Sequence, residues 1–301
     1  MKAGTVTTAV AIVLALASAG AGAAAPSVRW IVFPASPQHG TQPSQLFRIS
    51  TTGNGLDQIT TGARAADEPS FSPDGRRVVF TRVRAGIFVV NVDGRGLHRL
   101  TQDPNDRLPV WSPDGRHVAF VHPGARRARL AVIGADGDRQ RILRQGPEPL
   151  GRPSWTPDGR SLVIAAANGS LFRLNARSGA VERRLGLRFD QNGGTPLWTL
   201  SPDGRTAAIV GRRAGPPGCT GLACEAFGLF VAPVSSGRLR LLTDEAAYAG
   251  WTPDGRRVVY ASGAGLRIRA VAGGSVRTIA LGSGGEIQPE GDAPPAWQPG
   301  H

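Results

Sequence analysis

The chain has 301 residues with 41 Gly and 24 Pro, a content that suits a turn-rich all-β protein, and it carries a formal net charge of +13. Lys2 is the only lysine, so the charge rests on arginine, and no recognised nucleic-acid-binding module accompanies it. Beyond the N-terminus no segment is apolar enough to span a bilayer.

Residues 1–25 are predicted to be a secretory signal peptide. Lys2 supplies the charged start, Ala9 to Ala17 a short apolar run, and Ala21-Gly22-Ala23 and Ala23-Ala24-Ala25 small-residue cleavage sites. The run is short for a transmembrane helix; the competing reading is an uncleaved anchor. With no Cys near the cleavage region, a bacterial lipoprotein is excluded. The expected address is therefore secreted or periplasmic, in the cell envelope.

Three strands are predicted next: Val28 to Phe33, Gln45 to Ile49 and Leu56 to Thr60. A repeated phrase follows. It reads FSPDGRRVVF from Phe71, WSPDGRHVAF from Trp111, WTPDGRSLVI from Trp155, LSPDGRTAAIV from Leu200 and WTPDGRRVVY from Trp251. A truncated copy, WQPG, begins at Trp297. The turn aspartates Asp74, Asp114, Asp158, Asp203 and Asp254 are spaced by 40, 44, 45 and 51 residues, a period that signals a repeat architecture.

Each copy has the chemistry of a tight turn between two strands. Pro presets φ, Asp bonds back to nearby backbone, and Gly accepts positive φ. A third strand follows each copy, such as Gly86 to Val92, and then a short fourth, such as Leu97 to Thr101 or Leu239 to Thr243. Four short strands per repeat is the pattern of a propeller blade. The last copy offers a lone first strand, Pro295 to Gln298, and the N-terminal region offers the other three. One blade shared by both termini would close the ring and remove exposed sheet edges. The prediction is an all-β, six-bladed β-propeller over residues 26–301. The recurrent tryptophans at 111, 155, 198, 251 and 297 read as packing between blades rather than as an aromatic ligand site.

Cys219 and Cys224 lie in the longest spacing, and an exported chain favours a disulfide between them, worth about 2 kcal/mol for so short a ring. No Gly-x-Ser-x-Gly elbow is present, and Gly282-Ser283-Gly284-Gly285 lacks the Lys of a phosphate loop. His117 and His122 flank one strand, and neither pairs with carboxylates at ligand spacing. The arginine runs at Arg126, Arg127 and Arg129 and at Arg139, Arg141 and Arg144 would attract an anionic envelope polymer; compositional bias toward Arg is the plainer reading.

The aromatic-Ser/Thr-Pro-Asp-Gly-Arg phrase, with Pro two residues earlier at Pro69, Pro109, Pro153 and Pro295, resembles the TolB-type β-propeller repeat across about residues 28–300. The resemblance implies a six-bladed, terminus-closed, exported propeller that binds other proteins. TolB itself carries an additional N-terminal α/β domain, for which this chain is expected to have no room. Similar propellers also occur in prolyl-oligopeptidase-like peptidases and polysaccharide lyases.

The expected function is a monomeric, non-enzymatic protein that binds a protein partner at one tunnel mouth. The segments entering the first strands should line that mouth, giving the candidates Asp67, Glu68, Asp106, Arg107, Arg152, Thr195, Tyr248 and Asp292. The alternative is a hydrolase or carbohydrate lyase with a metal in the tunnel. Asp67, Glu68, Asp106 and Asp292 would then hold calcium through oxygen ligands.

Overall fold

A computed structural model gives the architecture; it describes residues 29–36, 42–124, 127–146, 151–165, 170–188, 197–213, 226–244, 246, 248–262, 265–281, 288–289 and 296–297. The predicted signal peptide and both cysteines lie outside the described residues.

Six antiparallel sheets follow one another. The first blade is β4 (Ala66–Phe71), β5 (Arg77–Arg82), β6 (Gly86–Asn91) and β7 (His98–Arg99). The second is β8 (Arg107–Trp111), β9 (His117–His122), β10 (Ala128–Gly134) and β11 (Arg141–Gly146). The third is β12 (Ser154–Trp155), β13 (Ser161–Ala165), β14 (Ser170–Asn175) and β15 (Val181–Arg188). The fourth is β16 (Leu197–Leu200), β17 (Thr206–Arg213), β18 (Ala226–Pro233) and β19 (Arg240–Thr243). The fifth is β20 (Tyr248–Trp251), β21 (Arg257–Ser262), β22 (Gly265–Ala270) and β23 (Val276–Ala280). The closing blade joins β1 (Trp30–Ser36), β2 (Gln45–Ser50) and β3 (Asp57–Gln58) to two C-terminal pieces, β24 (Gln288–Pro289) and β25 (Ala296–Trp297). Trp297 pairs with Ile31 and Ala296 with Val32, while Pro289 pairs with Ala35. The ring is therefore closed as predicted, with β24 as an addition at the far end of β1.

The core lies between the blades. Six clusters of buried apolar residues occupy the six interfaces, one each. The cluster between the closing and fifth blades packs Ile31, Phe33 and Ile49 against Val259, Leu266 and Ile279. Alternation along the strands presents one set of side chains to the blade before and the other to the blade after. Tryptophan adds a polar tie: the Trp155 indole N–H donates to Val110 O and that of Trp251 to Thr199 O, each 3.2 Å away in the preceding blade. For Trp111, Trp155, Trp198 and Trp251, which lie in or against the clusters, the geometry supports the packing reading.

The Pro-Asp-Gly turns form a ring of their own. Asp74 Oδ1 accepts from the Ser72 hydroxyl at 2.5 Å and from the Arg76 N–H at 3.1 Å, and the same pair recurs at Asp114, Asp158, Asp203 and Asp254. Each turn also meets its neighbour. A Cβ on Gly204 would sit 3.1 Å from Pro157 Cδ, and Gly115, Gly159 and Gly255 face Pro73, Pro113 and Pro202 in the same way. Gly is required there twice over, for its φ of +70° and for this close approach.

A candidate binding mouth built by the strand entries

The crossovers between blades deliver the predicted mouth residues to the start of each first strand. In β4 the pairing with β5 shifts register between Asp67 and Ser70, and in β8 the pairing with β9 shifts between Arg107 and Val110. The residue inside each irregularity, Glu68 and Leu108, has positive φ, 59° and 58°. That backbone is costly for residues with a Cβ and must be held by its surroundings. Glu68 provides the hold. Its Oε2 accepts the Leu108 N–H at 2.5 Å and the Thr81 hydroxyl, so one carboxylate ties two neighbouring irregularities together. Glu68 is only 8% exposed; it is a buried strut beneath the mouth.

Arg152 occupies the equivalent place in the third blade, three residues before its aromatic, and it reaches across two blades. Its Nη2 donates to Pro69 O at 2.8 Å and lies 3.4 Å from Pro109 O. Burial lowers the guanidinium pKa, while the Glu68 and Asp67 carboxylates nearby favour its charge. Its Nη1 is enclosed without a hydrogen-bond partner. Glu68, Leu108 and Arg152 thus fasten three first strands into one polar knot.

The other candidates separate. Arg107 is exposed and Asp67 half-buried, with the Asp67 Oδ1 accepting the Glu68 N–H at 2.7 Å. Tyr248 is half-buried and packs on the apolar cluster between the fifth and closing blades. Thr195 and Asp292 lie outside the described residues.

Asp106 is 2% exposed and faces His122, whose Nδ1 stands 3.0 Å from Asp106 Oδ1 and 3.5 Å from Asp103 Oδ2. The expectation that His122 has no carboxylates at ligand spacing is therefore corrected. The pairing of β8 with β9 sets Arg107 opposite Val121 and so brings residues 16 apart in sequence into contact. Burial raises the Asp106 pKa with help from the Asp103 charge, against the hydrogen bond and charge of His122. Among the described residues, Asp103, Asp106 and His122 are the carboxylates and imidazole that gather in a group of three, within 4.8 Å of one another. Asp67 and Glu68 do not join a group of that kind.

The comparisons with known proteins agree with this architecture. The TolB beta propeller domain family matches residues 17–148, and the Lipoprotein LpqB beta-propeller domain family matches residues 89–214. Uncharacterized protein Atu1656 of Agrobacterium fabrum is 33% identical over 34% of this chain and 40% of its own length. The uncharacterized peptidase YuxL of Bacillus subtilis is 24% identical over 68% of this chain and 30% of its own. The chain thus spans less than half the length of these curated relatives. Among solved structures, TolB from Acinetobacter baumannii superposes with a TM-score of 0.71 at 20% identity, over 91% of this chain and 67% of that one. Six blades, a ring closed by β1 and β25, and the repeated turn give the chain the fold of the TolB-type β-propeller, and the TolB beta propeller domain model supports that likeness over residues 17–148.

Proposed function

We propose that this chain is an exported, non-enzymatic propeller that binds a protein partner at the mouth where the first strands begin. The observation that carries the reading is the polar knot of Glu68, Leu108 and Arg152. It fixes three strand entries rigidly and leaves Arg107 exposed beside the half-buried Asp67, of opposite charge. A rigid rim with charges of both signs suits the edge of a protein interface, where polar groups set register and partner choice. Export is read from Lys2, the apolar run and the small residues before Ala25.

The informative substitutions are the exposed ones. Reversing Glu68 or Asp106 would disturb buried contacts, so loss of binding there would be ambiguous. Arg107→Glu alters the rim at its exposed member. This variant is expected to melt within about 1 kcal/mol of the parent, as surface changes do. It should also lose a protein that the parent retains from an envelope extract. Equal retention by both removes the mouth from consideration. Fusion of residues 1–40 to a reporter active only outside the cytoplasm tests export.

A further inference from the structure

We propose that Asp103, Asp106 and His122 form a binding site for a divalent transition cation of the zinc or manganese type. The site lies in the crossover from β7 to β8 and at the end of β9. It adjoins Arg107 at the rim of the proposed mouth, but its test requires no partner.

Three features carry it. The first is the donor arithmetic. His122 Nδ1 faces two carboxylates, Asp106 Oδ1 at 3.0 Å and Asp103 Oδ2 at 3.5 Å. One ring nitrogen holds at most one proton and can satisfy only one of them well; 3.5 Å is long for a hydrogen bond. A cation at their common centre engages all three donors. The second is the spacing. Donors about 2.0–2.1 Å from a tetrahedral ion stand roughly 3.3 Å apart, and the two observed separations bracket that figure. The third is enclosure. Asp106 is 2% exposed, and its second oxygen, Oδ2, has no hydrogen-bond partner. A buried, unpaired carboxylate oxygen costs free energy unless a cation or donor meets it. Asp103 is 43% exposed, so an ion has a route of entry and can keep water in its remaining positions.

The donor set also selects the ion. An imidazole nitrogen suits zinc, nickel and copper and the two carboxylates suit manganese, whereas calcium and magnesium take oxygen ligands alone. Binding through Nδ1 leaves the His122 proton on Nε2. The ion displaces any proton on Nδ1, so affinity should fall as the imidazole becomes protonated.

The test uses the untagged chain spanning residues 26–301. Titration calorimetry and thermal melting with zinc, manganese and calcium chlorides measure binding, and cobalt(II) gives a visible spectrum that reports nitrogen and oxygen ligation. Zinc or manganese should bind one ion per chain in the micromolar range or tighter and raise the melting temperature. Asp103→Asn, at a half-exposed position that leaves the fold intact, should weaken binding at least tenfold. His122→Gln should abolish both the binding and the cobalt spectrum. His98→Gln is the control and should change neither, since His98 sits apart with its Nδ1 on Gly96 O. The proposal is overturned if neither zinc nor manganese binds stoichiometrically, if both substitutions leave binding intact, or if calcium binds as tightly as zinc. In the first case the cluster is a histidine hydrogen-bonded to Asp106 with Asp103 alongside.

Discussion

At the scale of single residues, Glu68 shows how a charged side chain can be structural inside a predicted binding mouth. Its carboxylate is the acceptor for the Leu108 N–H and the Thr81 hydroxyl, and Leu108 itself sits at positive φ. Truncation orphans a buried N–H, which costs about 1–3 kcal/mol, and removes the charge beside Arg152. Glu68→Ala should therefore destabilise the chain by about 2–3 kcal/mol in urea unfolding, with Glu68→Gln well below that because it keeps an acceptor oxygen. In an Arg152→Ala background the same change should cost less, with a coupling of about 1 kcal/mol. Strict additivity would mean that the two residues do not act as one unit. The charges at Asp67, Glu68 and Arg152 were legible in the sequence as strand-entry residues. Their burial was not, because the register shifts at Glu68 and Leu108 arise from pairing with β5 and β9. The His122 group was hidden for the same reason: its carboxylates stand 16 and 19 residues away along the chain and meet only across a hairpin.

Among elements, beside the indole ties and the polar knot, two devices recur around the ring to join blade to blade, and only one of these was legible. The Pro-Asp-Gly turn announces itself in sequence, and its five copies are alike in their bonds. Asp158, Asp203 and Asp254 are held below the ordinary carboxylate value of 3.8, first by the hydroxyl two residues earlier and then by the N–H two residues later. At Asp74 and Asp114 partial burial pushes upward, and the same hydrogen bonds together outweigh it. The ionised form is thus favoured by folding. Its contribution is complete above about pH 4 and is lost as pH falls through the lowered folded value. Asp106, raised by burial, takes up its proton first and opposes that trend. Melting temperature should decline below pH 4, and Asp158→Asn, Asp203→Asn and Asp254→Asn together should flatten the decline. An unaltered acid limb in the triple variant would exclude the turns as its source.

The second device is an arginine clasp. Arg48 donates to Val92 O at 2.9 Å, Arg141 to Arg177 O at 2.6 Å and Ala176 O at 3.0 Å, Arg240 to Val271 O, and Arg277 to Thr51 O. In each case the acceptor is a turn of the next blade, so among the described residues four interfaces carry one. Nothing in the sequence linked these residues, which lie 31 to 226 positions apart. Arg141 belonged to a run that reads as a cationic, anion-attracting patch; the clasp gives it a structural task. A lysine cannot span two carbonyls as a guanidinium fork does. Arg141→Lys should cost about 1 kcal/mol and speed hydrogen exchange in the turn between β14 and β15. No change in that turn would show the clasp to be idle.

For the whole molecule, the decisive element is the smallest. Six interface clusters form a circle, but only β25 and β24 convert an open arc into a closed ring, through two paired positions each. The sequence made this closure legible because the truncated last copy complements three strands at the start; β24 carries none of the repeated phrase and was not anticipated. Four pairs seem little against the eleven buried residues of the adjoining cluster, yet the two act on different states. The cluster holds the fifth blade to the closing blade laterally. The pairs cover the inner edge of β1, whose backbone groups would otherwise be free to recruit another strand. Removing residues 286–301 should therefore do more than lower the melting temperature. The truncated chain should unfold less cooperatively, exchange amide hydrogens faster in β1 and β2, and self-associate as its concentration rises. A synthetic peptide of residues 286–301 added in trans should reverse all three effects, because it supplies the missing edge without altering any cluster. If the truncated chain stays monomeric and melts as the parent does, lateral packing alone closes the ring and the C-terminal strands are dispensable to it.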